Sequence, residues 1–487
     1  MDQMAKYYLT TTLPYVNSSP HLGHALEYVQ ADVLARFHRL LGEEVFFNTG
    51  TDEHGSKILE KAEEAGRPVK DYVDEYAERF RKFIQTLRIS NDAFIRTTDP
   101  HHEAAAIEFW KRCAANGDIE KRLYQAKYCR GCELEKTDSE LEGGRCPLHP
   151  NLEIEVREEE NYFFKFSRYQ KKLLELYESR PDFVLPENRL REVKEFVAAG
   201  ARDFSVSRLK SKMPWGIPVP GDTDHVMYVW FDALINYIST IKWPQDETNF
   251  RSWWPGNQIA GKDNLRQQAA MWQAMLMSAN LPPSRQILIH GFITSNGAKM
   301  SKTVGNVVDP MDIVNRYGSE ALRFWLTKEV PVFEDGDFTW HKFHEAYTSG
   351  LSNGLGNLVS RVLKMAADQG VKLAAAADPK EIRRREFLPN DYVKALAASD
   401  IRSGIEIIWQ VVSDCDAYIQ KEEPFRKVKN DPEAAKKDLT YLLGRLLKIS
   451  IMLEPYMPET SNRILHALSD GKPMEKPLFP RLEAPAV

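Results

Sequence analysis

A strand, a helix and a second strand follow one another between residues 6 and 50, and that succession restricts the fold more than any other feature of the chain. "KYYLTTT" at 6–12 and "EVFFNTG" at 44–50 are rich in β-branched and aromatic residues. Between them Leu22, Leu26, Val29, Val33, Phe37 and Leu40 recur at intervals of three and four, the stripe of a buried helix. Ser18 and Ser19 are suitable N-caps, Pro20 suits the first helical position, and Gly42 ends the run. A βαβ unit implies a parallel sheet, so the expected fold class is α/β. In such sheets ligands bind at the carboxyl ends of the strands, where helices begin. That places "LPYVNSSPHLGH" (13–24) and "TDEHG" (51–55) on one rim. His21 and His24 then lie in the first turn of a helix whose N-terminus attracts anions.

The sheet pattern breaks between 116 and 200, in a charged, Cys-containing segment that reads as an insertion. It resumes with "HVMYVWFDALINYI", "NQIAGKDN" and "RQILIHGFI". From about 345 the chain is helical, with periodic stretches near 350–367, 401–420 and 433–454 that indicate a bundle. The expected organisation is a parallel-sheet, Rossmann-like domain in two halves, 1–115 and 201–345, split by the insertion 116–200. A helical domain, 346–470, and a loose proline-rich tail, 471–487, follow. A length of 487 residues allows several domains. The chain is 43% apolar and 28% charged, with no run of about 18 apolar residues, and its start, "MDQMAKYY", has no secretory pattern. A cytoplasmic protein without a membrane partner is expected. The net charge of −5 gives no general attraction to nucleic acid, so any RNA must be held by local basic surface. Five cysteines, odd in number and partly clustered, suit reduced thiols and a metal better than disulfides.

Cys129-x-x-Cys132 is followed, after thirteen residues, by Cys146-x-x-His149. Two such pairs joined by a turn can close a tetrahedral structural zinc site of three sulfurs and one nitrogen. His21 and His24 can donate hydrogen bonds to phosphate oxygens, and Gly23, lacking a Cβ, lets a base or ribose approach the backbone. Alone, the motif reads as well as a capped helix with two surface histidines. Far downstream, "SNGAKMSKTVGNVVDP" (295–310) sets Lys299, Ser301 and Lys302 in a Gly-containing loop. Alone it is a solvated loop; next to the histidine turn it could follow charge developing on a triphosphate.

HxGH after the first strand, with KMSK after the last, resembles the class I aminoacyl-tRNA synthetases. "TTTLPYVNSSPHLGHALEYVQADVLARFHRLLGEEVFFNTGTDEHG", "HVMYVWFDALINYI" and "GFITSNGAKMSKTVGNVVDP" closely resemble the methionyl-tRNA synthetase family, and the likeness runs from residue 6 to about 460. The leucine, isoleucine and valine enzymes share both motifs but carry an editing domain for which 116–200 leaves no room. Two other readings stay open. One is another nucleotidyl transferase of the superfamily, usually shorter and without the insertion and bundle. The other is a non-catalytic tRNA-binding paralogue, against which the intact motifs stand.

The resemblance implies ATP with Mg2+, L-methionine and methionine tRNA, initiator and elongator, as partners. A monomer is expected, because the chain stops after the bundle. Trp230, Ala233, Leu234 and Tyr237, which by spacing alone share a buried helix face, match positions lining a methionine pocket. Leu13 and Tyr15 would close that pocket, and Asp52, otherwise a turn residue, would take the substrate ammonium. Gly261 and Asp263 match a nucleotide-binding turn that alone reads as a helix N-cap. Asn264 and Gln268 stand where many members carry isoleucine and histidine facing the methionine side chain. Asn357 and Arg361 match anticodon readers, and Phe425 stands where many relatives have a tryptophan that can stack on a base. Family members carry zinc knuckles in the insertion, many with a fourth cysteine in place of His149.

Overall fold

The computed structural model describes residues 5–136, 140–300, 306–373 and 384–484. Six strands form its main sheet: β1 (Lys6–Thr11), β2 (Glu44–Thr51), β3 (Ala93–Arg96), β4 (Val184–Leu185), β5 (Asn257–Gly261) and β6 (Gln286–His290). They run parallel throughout, in the order β3-β2-β1-β5-β6-β4. The chain steps outward from β1 through β2 to β3, then returns to lay β5 on the other side of β1. The crevice between β1 and β5 is therefore the switch point at which α/β sheets hold ligands. β4 comes from within the segment expected as an insertion. The rest of that segment is built on a long antiparallel pair, Ile119–Cys129 with Glu155–Phe164.

The first helix, α1 (Leu22–Leu40), buries the expected stripe and also Glu27, Gln30 and Asp32. There are two cores: one runs from the sheet through α1 into the helical region, while the other gathers around Phe109, Trp243 and Trp272. Asp32 sits between Arg36 Nε and Arg323 Nη2, each 2.7 Å away, and neither it nor Arg323 reaches solvent. Burial opposes its charge, yet the two guanidinium groups hold the carboxyl below the usual carboxylate range. Arg323, in the helix Ser319–Lys328, also donates to the carbonyls of Tyr456 (2.7 Å), Pro455 (2.9 Å) and Leu87 (3.1 Å). One guanidinium thus ties α1 to the helical region.

That region contains Asn357–Asp368, Ile401–Glu422, Pro432–Leu453 and Pro458–Asp470, entered through a π-helical stretch at Tyr347–Gly356. Three expectations need correction. "HVMYVWFDALINYI" adds no strand to the main sheet: Asp222–Met227 joins a small antiparallel sheet, and the chain then turns helical at Val229–Ala233. α1 starts at Leu22, with His21 and not a serine as its N-cap. The tail is not loose over its described residues, 471–484. Leu478 and Phe479 are buried against the bundle, Tyr347 donates to the Pro480 carbonyl at 2.6 Å, and Arg316 donates to that of Glu483 at 2.8 Å. Among the described residues no helix is long and apolar enough to cross a membrane.

Replacing Arg323 by alanine removes a buried positive charge and leaves three carbonyls without their donor. The expected loss is about 3–5 kcal/mol, read as a lower urea midpoint. Asp32→Asn combined with Arg323→Met should recover part of it.

Candidate active site and metal centre

His21 and His24 cap α1 reciprocally. The Gly23 N–H donates to His21 Nδ1 at 3.1 Å, and the His21 N–H donates to His24 Nδ1 at 3.2 Å. The two rings stack, with centroids 3.7 Å apart. Each Nδ1 is an acceptor, so each neutral ring carries its proton on Nε2. Burial, and then the neighbouring His21, push the His24 pKa well below the ordinary value. The pair is therefore set as neutral N–H donors at a helix N-terminus. A Cβ on Gly23 would lie 3.0 Å from His21 Cε1, so the glycine makes room for the His21 ring.

Below this turn, Glu27 joins α1 to two strands. Its Oε1 accepts from the Thr12 N–H at 2.7 Å, and its Oε2 lies 3.0 Å from His290 Nε2. His290 Nδ1 is 2.7 Å from the Gly291 carbonyl. Both ring nitrogens of His290 face acceptors; against the pull of burial, Glu27 raises its pKa. From His290 the chain enters a hairpin in which Thr294 pairs with Lys299. The Lys299 backbone thus follows directly from β6. Ser301 and Lys302 lie outside the described residues.

The loop after β1 and the loop after β2 pair as a short extension of the sheet: the Asp52 N–H donates to the Pro14 carbonyl (2.9 Å) and the Val16 N–H to that of Asp52 (3.2 Å). Leu13 is half-buried on the first loop. The Tyr15 ring meets Trp230 edge-on, with centroids 6.2 Å apart. Ala233, Leu234 and Tyr237 are buried behind Trp230. The Tyr237 hydroxyl accepts from Gln268 Nε2 at 2.5 Å, and Gln268 Oε1 accepts from Gln258 at 3.3 Å. Gln268 rides on a π-helical turn, Gln267–Met271, a geometry frequent at functional sites. Asn264 turns instead toward the exposed Asp263, at 3.3 Å. A Cβ on Gly261 would meet Asp263 Oδ1 at 2.8 Å. The Tyr15 hydroxyl, Asp52 Oδ1 and Trp230 Nε1 are buried without hydrogen-bond partners. Burial, Asp232 and Glu133 push the Asp52 carboxyl well above the usual range. Three buried polar atoms without partners thus belong to the Tyr15–Trp230 pair and the neighbouring Asp52, where a polar ligand could satisfy them.

Cys129 ends the strand Ile119–Cys129, Cys132 lies on the next turn, and Cys146 bridges to His149 on a second turn. Their donor atoms all lie within 4.8 Å of one another. Cys132 and Cys146 Sγ are 3.5 Å apart, and His149 Nδ1 is 3.3, 3.8 and 3.9 Å from Sγ of Cys132, Cys129 and Cys146. Sulfurs about 3.8 Å apart are what a tetrahedral ion with 2.3 Å bonds requires, so the four residues fit one metal. A Cβ on Gly131 would stand 2.3 Å from the His149 ring, which accounts for glycine there. Cys113 and Cys415 are buried elsewhere.

In the bundle, Arg361 and Phe425 line one hollow together with Met365, Gln420 and Glu423. Phe425 is 49% exposed. Asn357 is exposed one turn before Arg361 on the same helix and is not part of the hollow's lining.

Sequence reasoning missed several residues around the cleft. Glu27 and His290 lack a local signature, although a glutamate inside an apolar helix stripe was a usable signal. Glu133 follows Cys132 directly. Its Oε1 accepts from Ser56 Oγ (3.1 Å) and the Lys57 N–H (3.0 Å), and its carbonyl accepts from the Tyr228 hydroxyl, so the metal turn leans on both walls of the aromatic pocket. His54 and Asp232 were inside quoted motifs but carried no assignment.

Residues 7–153 and 149–363 match the family described as tRNA synthetases class I (M), and residues 377–478 match the anticodon binding domain of methionyl tRNA ligase. A methionine–tRNA ligase of Thermosynechococcus vestitus is 41% identical over 94% of this chain and 88% of its own length. That of Rhizobium meliloti is 37% identical over the whole of both chains. The fold superposes on Mycobacterium tuberculosis methionyl-tRNA synthetase in complex with methionyl-adenylate, with a TM-score of 0.88 and 35% identity, over 98% of this chain and 100% of that one. By both family matches and by this identity over nearly its whole length, the chain belongs to the methionyl-tRNA synthetases of class I.

Proposed function

We infer that the chain ligates L-methionine to methionine tRNA through methionyl-adenylate, releasing AMP and pyrophosphate. The observation that carries this is the group of buried polar atoms without partners at the Tyr15 hydroxyl, Asp52 Oδ1 and Trp230 Nε1, with Tyr15 six residues before the paired-imidazole turn. The methionine ammonium would sit at Asp52. The thioether would lie among Leu13, Tyr15, Trp230, Ala233, Leu234 and Tyr237, where sulfur–aromatic contacts contribute about 0.3–1.5 kcal/mol each. Gln268 would shape the pocket floor through Tyr237, with Asn264 at its edge. Gly261 and Asp263 would receive the ribose. The substrate carboxylate is ionised at neutral pH and attacks the α-phosphorus of ATP without a general base; the bond to the β-phosphate oxygen breaks and pyrophosphate leaves. Nε2–H groups of His21 and His24, with Lys299, Ser301 and Lys302, would stabilise charge that grows on the leaving group. Mg2+ accompanying ATP neutralises part of the triphosphate charge. The terminal 2′-hydroxyl of the tRNA then attacks the adenylate carbonyl, as the class implies.

Asn357, Arg361 and Phe425 are the proposed anticodon contacts. Zinc is the metal proposed for Cys129, Cys132, Cys146 and His149, because three thiolates and an imidazole suit it and leave no open position. A cytoplasmic monomer, with domain boundaries near 115, 200, 345 and 470, completes the reading.

ATP–pyrophosphate exchange tested with all twenty amino acids decides the activity: exchange with methionine is expected, and exchange with another amino acid or with none would refute it. Lys302→Ala should lose about 3 kcal/mol of transition-state stabilisation, more than 100-fold in exchange rate by about 1.36 kcal/mol per decade, with methionine binding retained. Arg361→Ala should weaken tRNA charging while leaving exchange intact; equal loss of both would contradict an anticodon role. Elemental analysis of the purified protein should find one equivalent of zinc, and Cys146→Ser should lose it.

A further inference from the structure

Behind the aromatic pocket, four polar side chains form a chain sealed from solvent. His54 Nδ1 lies 2.6 Å from Asp232 Oδ2, His102 Nε2 lies 2.8 Å from Asp232 Oδ1, and His102 Nδ1 lies 2.9 Å from Ser239 Oγ. Asp232, His102 and Ser239 are wholly buried, and His54 is 4% exposed. Each member sits on a different element: the loop after β2, the helix Pro100–Ala115, the helical turn Val229–Ala233 and the turn Asn236–Ser239. Asp232 is two residues from Trp230 and adjacent to Ala233; His54 is two residues from Asp52. One carboxylate therefore joins the wall that presents Asp52 to the wall that presents Trp230. His54 is held in addition against the Trp215 ring, with centroids 5.5 Å apart, and Trp215 Nε1 donates to the Glu53 carbonyl at 2.6 Å.

Stability alone does not account for such a chain. Taking a carboxylate out of water is costly, and well-packed apolar groups generally serve a core as well as a buried ion pair does. What directed hydrogen bonds add is a fixed register between the segments they join. The charges agree with a locked pair: against the pull of burial, His54 and His102 hold the Asp232 carboxyl below its usual range, while Asp232 holds the His54 imidazole above its own. Both Asp232 oxygens are thereby engaged within the chain, whereas Asp52 Oδ1 has no partner.

We propose that Asp232, gripped by His54 and His102, is a positioning residue for the amino-acid substrate, setting the separation between the ammonium subsite at Asp52 and the side-chain subsite at Trp230. It touches neither substrate nor ATP and governs methionine affinity through the two walls it ties. This rests on the methionine-activating reading given above.

The test is Asp232→Asn, which keeps the shape and one acceptor but loses the charge and the second acceptor. In pyrophosphate exchange, KM for methionine should rise at least about tenfold, with KM for ATP within about twofold and kcat changed less than KM. Calorimetric titration with methionine alone should show the same loss of affinity. His102→Gln can still donate to Asp232 and accept from Ser239, so it should stay close to wild type, whereas His102→Leu should behave like Asp232→Asn. If Asp232→Asn does not fold, the glutamine–leucine comparison at 102 carries the decision. A folded Asp232→Asn with unchanged methionine KM and affinity overturns the proposal, as does an equal rise in KM for methionine and ATP. Absence of methionine-dependent exchange in the wild-type protein would instead refute the reading on which it rests.

Discussion

Leu9 of β1 lies beside Asn257 of β5 in parallel register, and every group of the cleft depends on that pairing. It brings the loop after β1, which leads to the histidine turn, to the same sheet edge as the turn Lys262–Asn264, which follows β5. Closing so long a stretch of chain costs entropy that local structure cannot offset. The compensation comes from burial on both faces of the sheet, where two cores fill the space between strands and helices. A parallel sheet covered on both sides leaves its strand ends as the one place where polar side chains can gather beside a crevice. The site is where it is because the sheet leaves nowhere else for it.

Buried charge serves as the fixture of this architecture. Asp32 with Arg323, Glu27 with His290, and Asp232 with its two histidines each join elements far apart in sequence. None gains much from electrostatics alone, because desolvation consumes most of the attraction. Each instead restricts which element may sit against which, since a mispaired buried charge is far more costly than a shifted apolar contact. The three fixtures radiate from the cleft: Arg323 toward the bundle, His290 toward the hairpin that carries Lys299, and His54 toward the aromatic pocket. The metal turn adds a fourth brace through Glu133, whose backbone adopts φ 52° and whose side chain and carbonyl hold the two pocket walls from outside.

The parts of the site that were legible in the sequence are those whose partners are neighbours along the chain. Cys129, Cys132, Cys146 and His149 come together because two short turns suffice to close them, so their spacing already encoded the cluster. His21 and His24 share one helical turn, and their placement beside the strand end followed from the βαβ succession. The strands at β1, β2, β5 and β6 and the long helices of the bundle were visible because hydrophobic period is a local property of the chain. Even there the end of α1 was misjudged: Ser18 and Ser19 are better caps by propensity, but two imidazoles that bond reciprocally to the backbone displaced them.

Sequence by itself thus determined the fold class, the strand-end rim that carries the histidine turn and the cysteine–histidine cluster, because period, capping and residue spacing act over a few residues. Tertiary structure alone decided that Glu27 meets His290, 263 positions away, that Asp232 meets His54 and His102, and that Phe479 docks on the bundle. It also decided that Asn264 turns to Asp263 while Gln268 faces Tyr237, although both stand on one short segment. A buried polar side chain takes its partner from whichever element packing brings within about 3 Å, and no local pattern of residues states which element that will be.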